Sequence, residues 1–236
     1  MTLCHFIKRK ISMPKVNEEY YKKKRAEIIE AAYRVCTRKP IASIDMKDVI
    51  KEGGFSQGVI YRYYKELDEI LRDLVITINE KNRIDKQLDL IFQKADLTDW
   101  KKTITNVFKM LADYITGVGV DLLKISLYSD MLAISDPERA IKIAEHLGKE
   151  DQSPLLYFIA ELSKYLKKVI KENELKPSHS VDEMMQFVVV TYQGIQSGYV
   201  LSECFESPQL KNKYKPKKMF AFLAEALIAM MEEKDD

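Results

Sequence analysis

Cysteine and histidine are scarce in this sequence of 236 residues, and neither forms a cluster. The three cysteines (Cys4, Cys36 and Cys204) are too widely spaced for a CxxC motif or a disulfide framework, and the three histidines are isolated from one another. We therefore predict no metal site, no cofactor and no disulfide. A reducing, cytoplasmic location fits this composition best.

Long apolar runs are also missing. No stretch approaches the roughly 20 apolar residues that a helix needs to cross a membrane. The first dozen residues do not have the order of a secretion signal, because Lys8-Arg9-Lys10 follows the short apolar segment instead of preceding it. With 46% hydrophobic and 31% charged residues, the composition is that of a globular protein with a buried core. We predict no membrane partner.

Several common catalytic and nucleotide-binding motifs are absent as well. The sequence contains no P-loop, GxGxxG or HExxH pattern, and we expect no GxSxG nucleophile motif. Its acidic pairs lie on predicted helix faces beside basic neighbours. We therefore predict no catalytic residues and no enzymatic activity. Two alternatives stay open from the residues alone, namely an enzyme without a recognisable motif and a helical scaffold that binds another protein.

Charge is distributed unevenly along the chain. Residues 1–70 carry 15 basic and 10 acidic side chains, whereas the remainder carries 23 basic and 26 acidic ones. A basic N-terminal part on a mildly acidic body suits a polyanionic partner at one end of the molecule. Charge runs are more often simply solvated, so this asymmetry supports other observations without standing alone.

The most informative stretch covers residues 45–71, where the pattern predicts two short helices on either side of a turn. Asp45 caps the first helix, with Asp48 three residues later in the position of a capping-box acid. Gly53-Gly54 ends that helix, and Ser56 caps the next one. Two helices joined by a short glycine-containing turn form the helix-turn-helix arrangement, whose second helix lies in the major groove of DNA.

An ordinary corner of an all-α protein has the same spacing, but the composition of the second helix favours DNA binding. Gln57, Tyr61 and Arg62 are polar or hydroxyl-bearing groups on a helix too short to form a core by itself. Gly58 is unfavourable inside a helix. It suits a position where the backbone must approach a partner closely, such as a phosphate at the helix N-terminus.

This stretch resembles the DNA-binding signature of the TetR (tetracycline-repressor) family, which usually runs Ile-Ala-x-x-Ala-Gly-Val-Ser-x-Gly-x-x-Tyr-x-Tyr-Phe. The resemblance covers residues 20–72. It departs from the family pattern at Ile50 and Gly53, where alanine is usual, and at Leu67, where a phosphate-contacting lysine is often found. The matching residues here read Val49-Ile50-x-x-Gly53-Gly54-Phe55-Ser56-x-Gly58-x-x-Tyr61-x-Tyr63-Tyr64.

The resemblance implies an all-α fold with an N-terminal three-helix helix-turn-helix DNA-binding domain and a C-terminal helical ligand-binding and dimerisation domain. We place a basic N-terminal arm at 1–19, the DNA-binding domain at 20–66 and the effector-binding and dimerisation domain at 67–236. Met13 is a candidate for the true start, because the residues after it have the shape of a family N-terminus. The implied function is a transcriptional regulator, commonly a repressor, that leaves a palindromic operator in double-stranded DNA when an effector binds.

The predicted DNA-binding residues lie in and beside the second helix of the motif. Gln57, Val59 and Arg62 are the candidates for reading an adenine, a thymine methyl group and a guanine. Phosphate contacts are expected from Ser56 with the amides after it, and from the hydroxyls of two tyrosines. The complete predicted set is Lys47, Ser56, Gln57, Gly58, Val59, Tyr61, Arg62, Tyr63 and Lys65.

Apolar periodicity predicts helices along the rest of the chain. A long fourth helix at about 66–89 is expected to lead from the DNA-binding domain into the larger one without a flexible linker. Strong helix-start signals occur at Ser135-Asp136-Pro137 and at Ser153-Pro154, and a polar connection is expected at 208–216. The predicted core of the first domain consists of Ile28, Ala32, Val35, Ile44, Val49, Phe55, Ile60 and Tyr64.

The last two predicted helices, at about 181–204 and 217–232, are apolar over a wider arc than one core face needs. Either they are central in the domain or one side meets another subunit. The resemblance implies a homodimer, because TetR-like proteins pack these two helices into a four-helix bundle. The predicted interface residues are Met184, Val188, Ile195, Tyr199, Phe220, Leu223, Leu227 and Met231.

The resemblance also implies a small-molecule effector of unknown identity among the middle helices. Gln193 and Gln196 are the most informative candidates, because buried amides need hydrogen-bond partners. With no cluster of buried charges, the pocket is expected to prefer a neutral or weakly polar, partly hydrophobic compound. An aromatic residue at helical spacing is more often plain core. The predicted lining is Trp100, Phe108, Tyr114, Tyr128, Met131, Phe158, Tyr192, Gln193 and Gln196.

Overall fold

The computed structural model of the chain describes residues 18–145, 147–148, 153–205 and 214–232. Within these ranges the chain forms eleven α-helices and no strand, so the predicted all-α fold is confirmed. The helices are α1 (Glu18–Cys36), α2 (Met46–Gly53), α3 (Gln57–Tyr63), α4 (Leu67–Lys81), α5 (Asp85–Gln93), α6 (Trp100–Gly117), α7 (Val120–Ser135), α8 (Pro137–Ala144), α9 (Pro154–Glu172), α10 (Val181–Cys204) and α11 (Pro216–Met231).

Some sequence predictions lie outside the described residues. They are the start at Met13, nearly all of the arm at 1–19, and most of the connection at 208–216. Within the described ranges, no helix combines the length and the apolar character needed to span a membrane.

Capping signals in the sequence determine where several helices begin. The Asp45 carboxylate accepts the backbone N–H of Asp48 at 2.9 Å, and the Asp48 carboxylate accepts the N–H of Asp45 at 3.1 Å. These two bonds form the predicted capping box of α2. Pro137 and Pro154 occupy the first turns of α8 and α9, as predicted. Proline is favourable there because the first turn has no partner for its backbone N–H.

Helices α1, α2 and α3 pack together into a three-helix unit, called the head below. Seven of its eight predicted core residues are buried, and Phe55 is half-buried. The head core does not end with these helices, because Ile125 and Leu132 of α7 and Ile143 of α8 belong to the same buried cluster. The head is therefore joined to the rest of the chain through shared apolar packing.

The predicted fourth helix is wrong in its length, because α4 ends at Lys81 and a separate α5 begins at Asp85. The Asn82 side-chain amide donates to the carbonyl oxygen of Ile78 at 2.7 Å. The backbone N–H of Asn82 donates to the same carbonyl at 3.1 Å, so Asn82 closes the helix with one main-chain and one side-chain bond. Asparagine competes for backbone hydrogen bonds in this way, a signal that the continuous apolar periodicity concealed.

The N-terminal end of α4 is held by α8. Arg139 pairs with Asp68 at 2.8 Å, and Lys142 pairs with Glu66 at 2.9 Å. The Arg72 guanidinium donates to backbone carbonyls at the end of α8 at 3.4 Å. A displacement of α8 would therefore reach the start of α4 through three polar contacts and the shared apolar core.

Helices α5, α6, α9, α10 and α11 share a second buried cluster and are called the body below. Helix α6 packs against α11, and α10 packs against both α9 and α11. The rings of Phe108 and Phe158 meet edge to face at 6.1 Å, and those of Tyr192 and Phe220 meet at 6.0 Å. Helix α7 bridges the two clusters, since its Leu123 lies in the body core and other residues of α7 lie in the head core.

Candidate nucleic-acid interface

The turn between α2 and α3 contains two glycines with different roles. Gly54 caps α2 with a φ of 65°, in the left-handed region that glycine adopts without strain. Gly53 instead makes room for a ring, because a Cβ built there would lie 1.9 Å from the side chain of Phe55. Phe55 stands where the TetR-like pattern has valine, and its larger ring occupies the space of the usual alanine methyl group at position 53. These two departures are therefore one packing change.

Ser56 caps α3, in agreement with the helix-start signal. Its hydroxyl accepts the backbone N–H of Val59 at 3.3 Å. No acidic residue occupies the first turn of α3, whereas Asp48 does so in α2. The first amides of α3 therefore form a positive helix end with no carboxylate in that turn.

Residues 54–58 also match the literal GxSxG pattern of serine nucleophiles. That pattern carries catalysis on a strand-to-helix turn, whereas here it joins two helices. The Ser56 hydroxyl already caps α3. Within the described ranges the chain has one histidine, His179, and it lies just before α10. In the described part of the chain, no group of His, Cys, Asp and Glu side chains could hold a metal ion.

One side of α3 carries most of the predicted DNA-binding residues. Tyr61 is 53% exposed, while the neighbouring Ile60 is fully buried and anchors the helix in the head core. Val59 is half-buried. The predicted residues that lie exposed in α3 and beside it are Lys47, Ser56, Gln57, Gly58, Tyr61, Arg62 and Lys65.

Tyr63 lies elsewhere and corrects the prediction. It is only 8% exposed, and its ring centre lies 4.9 Å from that of Tyr21 on α1. Residues two apart on a helix point to different sides, so Tyr61 and Tyr63 do not share one face. The Tyr63 ring packs within the head. It does not lie on the exposed face of α3, where the predicted phosphate contact would need it.

Gly58 leaves open space on the exposed side of α3. A Cβ built at this position would meet no atom within 4 Å. Packing within the chain therefore does not require a glycine here, and alanine would favour the helix by about 1 kcal/mol. A glycine here is consistent with a partner that approaches this backbone closely.

Basic side chains behind this face are held in ion pairs. Arg34 and Arg38 both pair with Glu52, and Lys39 pairs with Asp48 at 2.5 Å. Hydrogen bonds from the two arginines keep the pKa of Glu52 below its ordinary value. These cations already have carboxylate partners within the head.

The basic side chains of the predicted DNA-binding set differ from these. Lys47 at the start of α2, Arg62 on α3 and Lys65 just after α3 have no ion-pair partner among the described residues. All three are exposed and belong to the predicted DNA-binding set. Cations without internal partners can neutralise the phosphates of a bound duplex.

A half-buried polar network supports the end of α3 from behind. The Tyr64 hydroxyl donates to the Asp73 carboxylate of α4 at 2.7 Å. Arg25 of α1 pairs with the same carboxylate and stacks over the Tyr64 ring at 4.3 Å. Burial, followed by the Asp73 contact, raises the pKa of Tyr64, so the phenol keeps the proton that it donates. The sequence indicated the buried Tyr64 but not its two partners, because Arg25 ends a basic run that reads as a solvated arm.

The predicted effector-lining residues do not converge on one cavity. Tyr128 lies half-buried against the head core. Met131 is 54% exposed on α7 and Gln193 is exposed on α10, so neither lines an interior pocket, which corrects their assignment. Gln196 is buried and has no hydrogen-bond partner among the described residues. The members that pack in the body core are Trp100, Phe108, Phe158 and Tyr192.

Two cavities border the C-terminal end of α4. One of about 560 Å³ lies between the end of α4, α5 and α6 and is lined in part by Tyr114. Burial raises the pKa of Tyr114 to about 12, so its hydroxyl remains protonated at neutral pH. The other, of about 490 Å³, lies between α1, α4 and the connection from α6 to α7. Of the predicted effector-lining residues, all of which lie within the described ranges, Tyr114 lines the cavity beside α5 and α6, and the others line neither of these two cavities.

The predicted subunit-interface residues face the inside of their own chain. Seven of the eight are buried, and Tyr199 is half-buried. The seven buried residues pack α10 and α11 against the rest of the body, so those seven are not available to a second subunit. This corrects the predicted interface residues. The wide apolar arc that led to the prediction is nevertheless present.

The opposite side of α10 and α11 is apolar and uncovered. Val190 is 68% exposed, and Phe187 and Leu201 on the same helix are 39% and 54% exposed. Gly194 lies between them, and a Cβ built there would meet no atom within 4 Å. Phe222 of α11 is 48% exposed. These five residues are called the outer face below, and those of α10 recur at intervals of three, four and seven residues, which place them on one side of a helix.

Comparison with known proteins gives relatives in sequence and in structure. No protein-family model matches the chain. The chain is 28% identical over 184 residues to the uncharacterized HTH-type transcriptional regulator YfiR of Bacillus subtilis, over 77% of this chain and 82% of that protein. Its structure is similar to that of the transcriptional regulator FadR from Bacillus subtilis in complex with stearoyl-CoA, with a TM-score of 0.62, 21% identity, and coverage of 88% and 99% of the two chains. It is also similar to a TetR transcription regulator from Haloarcula marismortui, with a TM-score of 0.62, 16% identity, and coverage of 89% and 100%.

Proposed function

Because the chain has the all-α fold of the TetR-family regulators, we propose that it is a DNA-binding transcriptional regulator whose α3 reads an operator. The observation that carries the proposal is the exposed side of α3. It presents Gln57, Tyr61 and Arg62 beside basic side chains that have no partner within the described chain. The relatives found by comparison are regulators as well, which supports this function over an enzymatic one.

Each group on the face has a chemical role in this proposal. Gln57 and Arg62 can form two-bond contacts with adenine and guanine, which supply sequence specificity. The Tyr61 hydroxyl and the ammonium groups of Lys47 and Lys65 reach phosphates, which positions the head without selecting a sequence. The absent side chain at Gly58 lets the backbone of α3 approach the duplex.

The regulator acts as a homodimer in this proposal, and the outer face forms the contact between subunits. An exposed apolar face of this kind is typical of a protein–protein interface. Around a two-fold axis the same face serves both subunits, with Gly194 allowing the paired α10 helices to approach closely. Two α3 helices about 34–36 Å apart would then fit successive major grooves of a palindromic operator.

A small, partly hydrophobic effector would release the regulator from its operator. Gln196 is 6% exposed as a residue and makes no hydrogen bond within the described chain, and Tyr114 lines a cavity beside α4, α5 and α6. The structurally similar FadR was solved in complex with stearoyl-CoA, whose long apolar chain supports the hydrophobic part of this proposal. Movement of the body would reach the head through α4, which contacts α8 at one end and the Arg25–Asp73 pair in its middle.

A gel-shift assay with the DNA upstream of the protein's own gene, repeated over a range of salt concentrations, tests the proposal. Specific binding that weakens steeply with salt is expected, because phosphate contacts release counterions. Replacing Gln57 or Tyr61 with alanine should weaken binding while the dimer persists in ultracentrifugation. Unchanged affinity in both variants would contradict the assignment of α3.

A further inference from the structure

We propose that the groove between α1 and α4 binds a small amphipathic anion. The groove adjoins the Tyr114-lined cavity of the effector proposal, with which it shares Lys81, Asn82 and Val118. The groove has a volume of about 490 Å³, within the range of about 300–1,000 Å³ that is usual for small-molecule pockets. It lies where the head, α4 and the connection between α6 and α7 meet.

The sides of the groove are largely apolar. Ile29 and Tyr33 of α1 line it together with Ile78 of α4, and Val118 and Leu122 contribute from the α6–α7 connection and the first turn of α7. All five side chains are only partly buried within the chain. Apolar surface that folding leaves uncovered in a concave site favours the hydrocarbon part of a ligand.

The charges that line the groove favour an anion. Lys22, Arg25 and Lys81 line it together with a single acid, Glu30. Arg25 pairs with an Asp73 carboxylate, and Lys22 has its own partner at 3.0 Å, so both are already engaged. Lys81 is exposed and has no ion-pair or hydrogen-bond partner among the described residues.

The neighbouring cavity strengthens the positive character of this end of α4. The two cavities share Lys81, Asn82 and Val118, and the neighbouring one adds Lys109 and Arg83, of which Arg83 pairs with Asp85 at 2.9 Å. Its acid is Asp113, which pairs with a lysine of α11 at 2.6 Å. An anionic group next to Lys81 would therefore meet two lysines, Lys81 and Lys109, that have no ion-pair partner among the described residues.

An anion in the groove would touch the joint between the head and α4. Arg25 lines the groove and also holds the Asp73 carboxylate. A carboxylate or phosphate in the groove competes with Asp73 for this guanidinium, so ligand binding and the position of the head are coupled. By reciprocity, a ligand that changes DNA affinity by a given factor has its own affinity changed by DNA to the same extent.

Calorimetry on the full-length protein tests the site, with decanoate and decyl phosphate as amphipathic probes and with decanol and inorganic phosphate as their separate halves. Both amphipathic anions should bind, each more tightly than either half, and their ratio identifies the preferred headgroup. Equal affinity for decanol and decanoate would refute the role of charge, and absence of binding by both anions would overturn the site.

Two substitutions locate the binding site. Lys81→Ala should weaken the binding of both anions about tenfold through the loss of one charge-assisted contact. Lys86→Ala is the control and should leave binding unchanged, because Lys86 is an exposed lysine of α5 that does not line the groove. Ala26→Trp should block the groove, because Ala26 is an exposed residue that lines it. Because Lys81 lines both cavities, Ala26→Trp decides between them, and anion binding that survives Ala26→Trp would place the anion outside the groove.

Controls separate this site from the proposed function. Circular dichroism should give unchanged thermal unfolding for Lys81→Ala. This variant should also still bind the operator when no ligand is present. If the wild-type protein itself does not bind an operator, the regulator function is refuted instead. Decanoate should shift the operator affinity of the wild-type protein and leave that of Ala26→Trp unchanged, and an equal shift in both would contradict the proposed coupling.

Discussion

The exposed side of α3 and the outer face of α10 and α11 are both uncovered, yet they differ in almost every chemical respect. The side of α3 carries polar side chains, a glycine and nearby cations without internal partners. The outer face carries Phe187, Val190, Leu201 and Phe222 with a glycine among them. A polar, cationic surface suits phosphates and base edges, whereas an apolar one suits a second copy of the same chain.

The lengths of the two elements explain part of this difference. Helix α3 has seven residues, and Ile60 and Tyr63 fasten it to the head, so its other positions are free to be polar. Helix α10 has 24 residues and buries one side in the body while keeping a second apolar side. An apolar arc wider than one core face therefore indicates a partner, but the residues that meet the partner are those that the chain leaves uncovered.

The largest expected effect comes from a charge on the outer face. Val190→Glu places two like charges near the proposed two-fold axis and removes apolar contact, so the dimer dissociation constant should rise by about 100-fold or more. Analytical ultracentrifugation measures this change, and operator affinity should fall with it. Leu156→Glu, at a 56% exposed leucine of α9, is the matched control and should leave the dimer intact. A dimer that persists in the Val190→Glu variant would show that the outer face is not the contact between subunits.

Loss of a cation beside α3 should affect DNA binding and spare the dimer. Arg62→Ala should cost about 1–3 kcal/mol in operator binding and relax specificity at one base position. Lys47→Ala should instead weaken binding to all DNA sequences alike and lower the slope of log affinity against log salt concentration by about 1. Fluorescence anisotropy over a salt series measures both. Arg34→Ala is the control, because that arginine is already held by Glu52. Equal losses for Arg34 and Arg62 would mean that partnered and unpartnered cations do not differ in function.

A substitution in the turn before α3 should affect stability before it affects recognition. Gly53→Ala forces a methyl group against the Phe55 ring and should lower the free energy of unfolding by about 1–3 kcal/mol. Adding Phe55→Val should recover most of the loss, because the smaller side chain vacates the same space. Urea denaturation of the two single variants and the double variant gives the coupling energy. Additive effects would show that the two positions are independent.

The smallest expected change has opposite signs in two measurements. Gly58→Ala should raise the free energy of unfolding by about 1 kcal/mol, because alanine favours a helix and the site has open space. The same methyl group should weaken operator binding by intruding between α3 and the duplex. Thermal unfolding and anisotropy measure the two effects. A variant that is more stable and binds DNA equally well would remove the argument that a partner approaches this glycine.

Prediction from the sequence was most accurate where local chemistry decides the structure. The capping box of Asp45 and Asp48, the proline starts of α8 and α9 and the seven buried core residues of the head follow from hydrogen bonding and helical periodicity over a few residues. The break after α4 was missed, because the periodicity of apolar residues continues across Asn82 while the asparagine caps the helix.

The candidate sites show where such reasoning stops. Helical spacing shows that residues share a side, but it does not show which of two apolar sides the chain covers. Hence Met184 and Leu227, predicted to meet a partner, lie in the body core, while Val190 lies exposed. Likewise Gln193 and Gln196 look alike in the sequence, yet only Gln196 is buried.

By itself the sequence determined the all-α architecture, the helix-turn-helix unit and the polar character of α3, because caps, glycines and periodicity act over a few neighbouring residues. Only the tertiary structure decided which cations keep a free charge, which side of α10 stays uncovered and how Arg25 and Asp73 join α1 to α4. These outcomes depend on contacts between residues far apart in the chain, and no local pattern specifies such contacts.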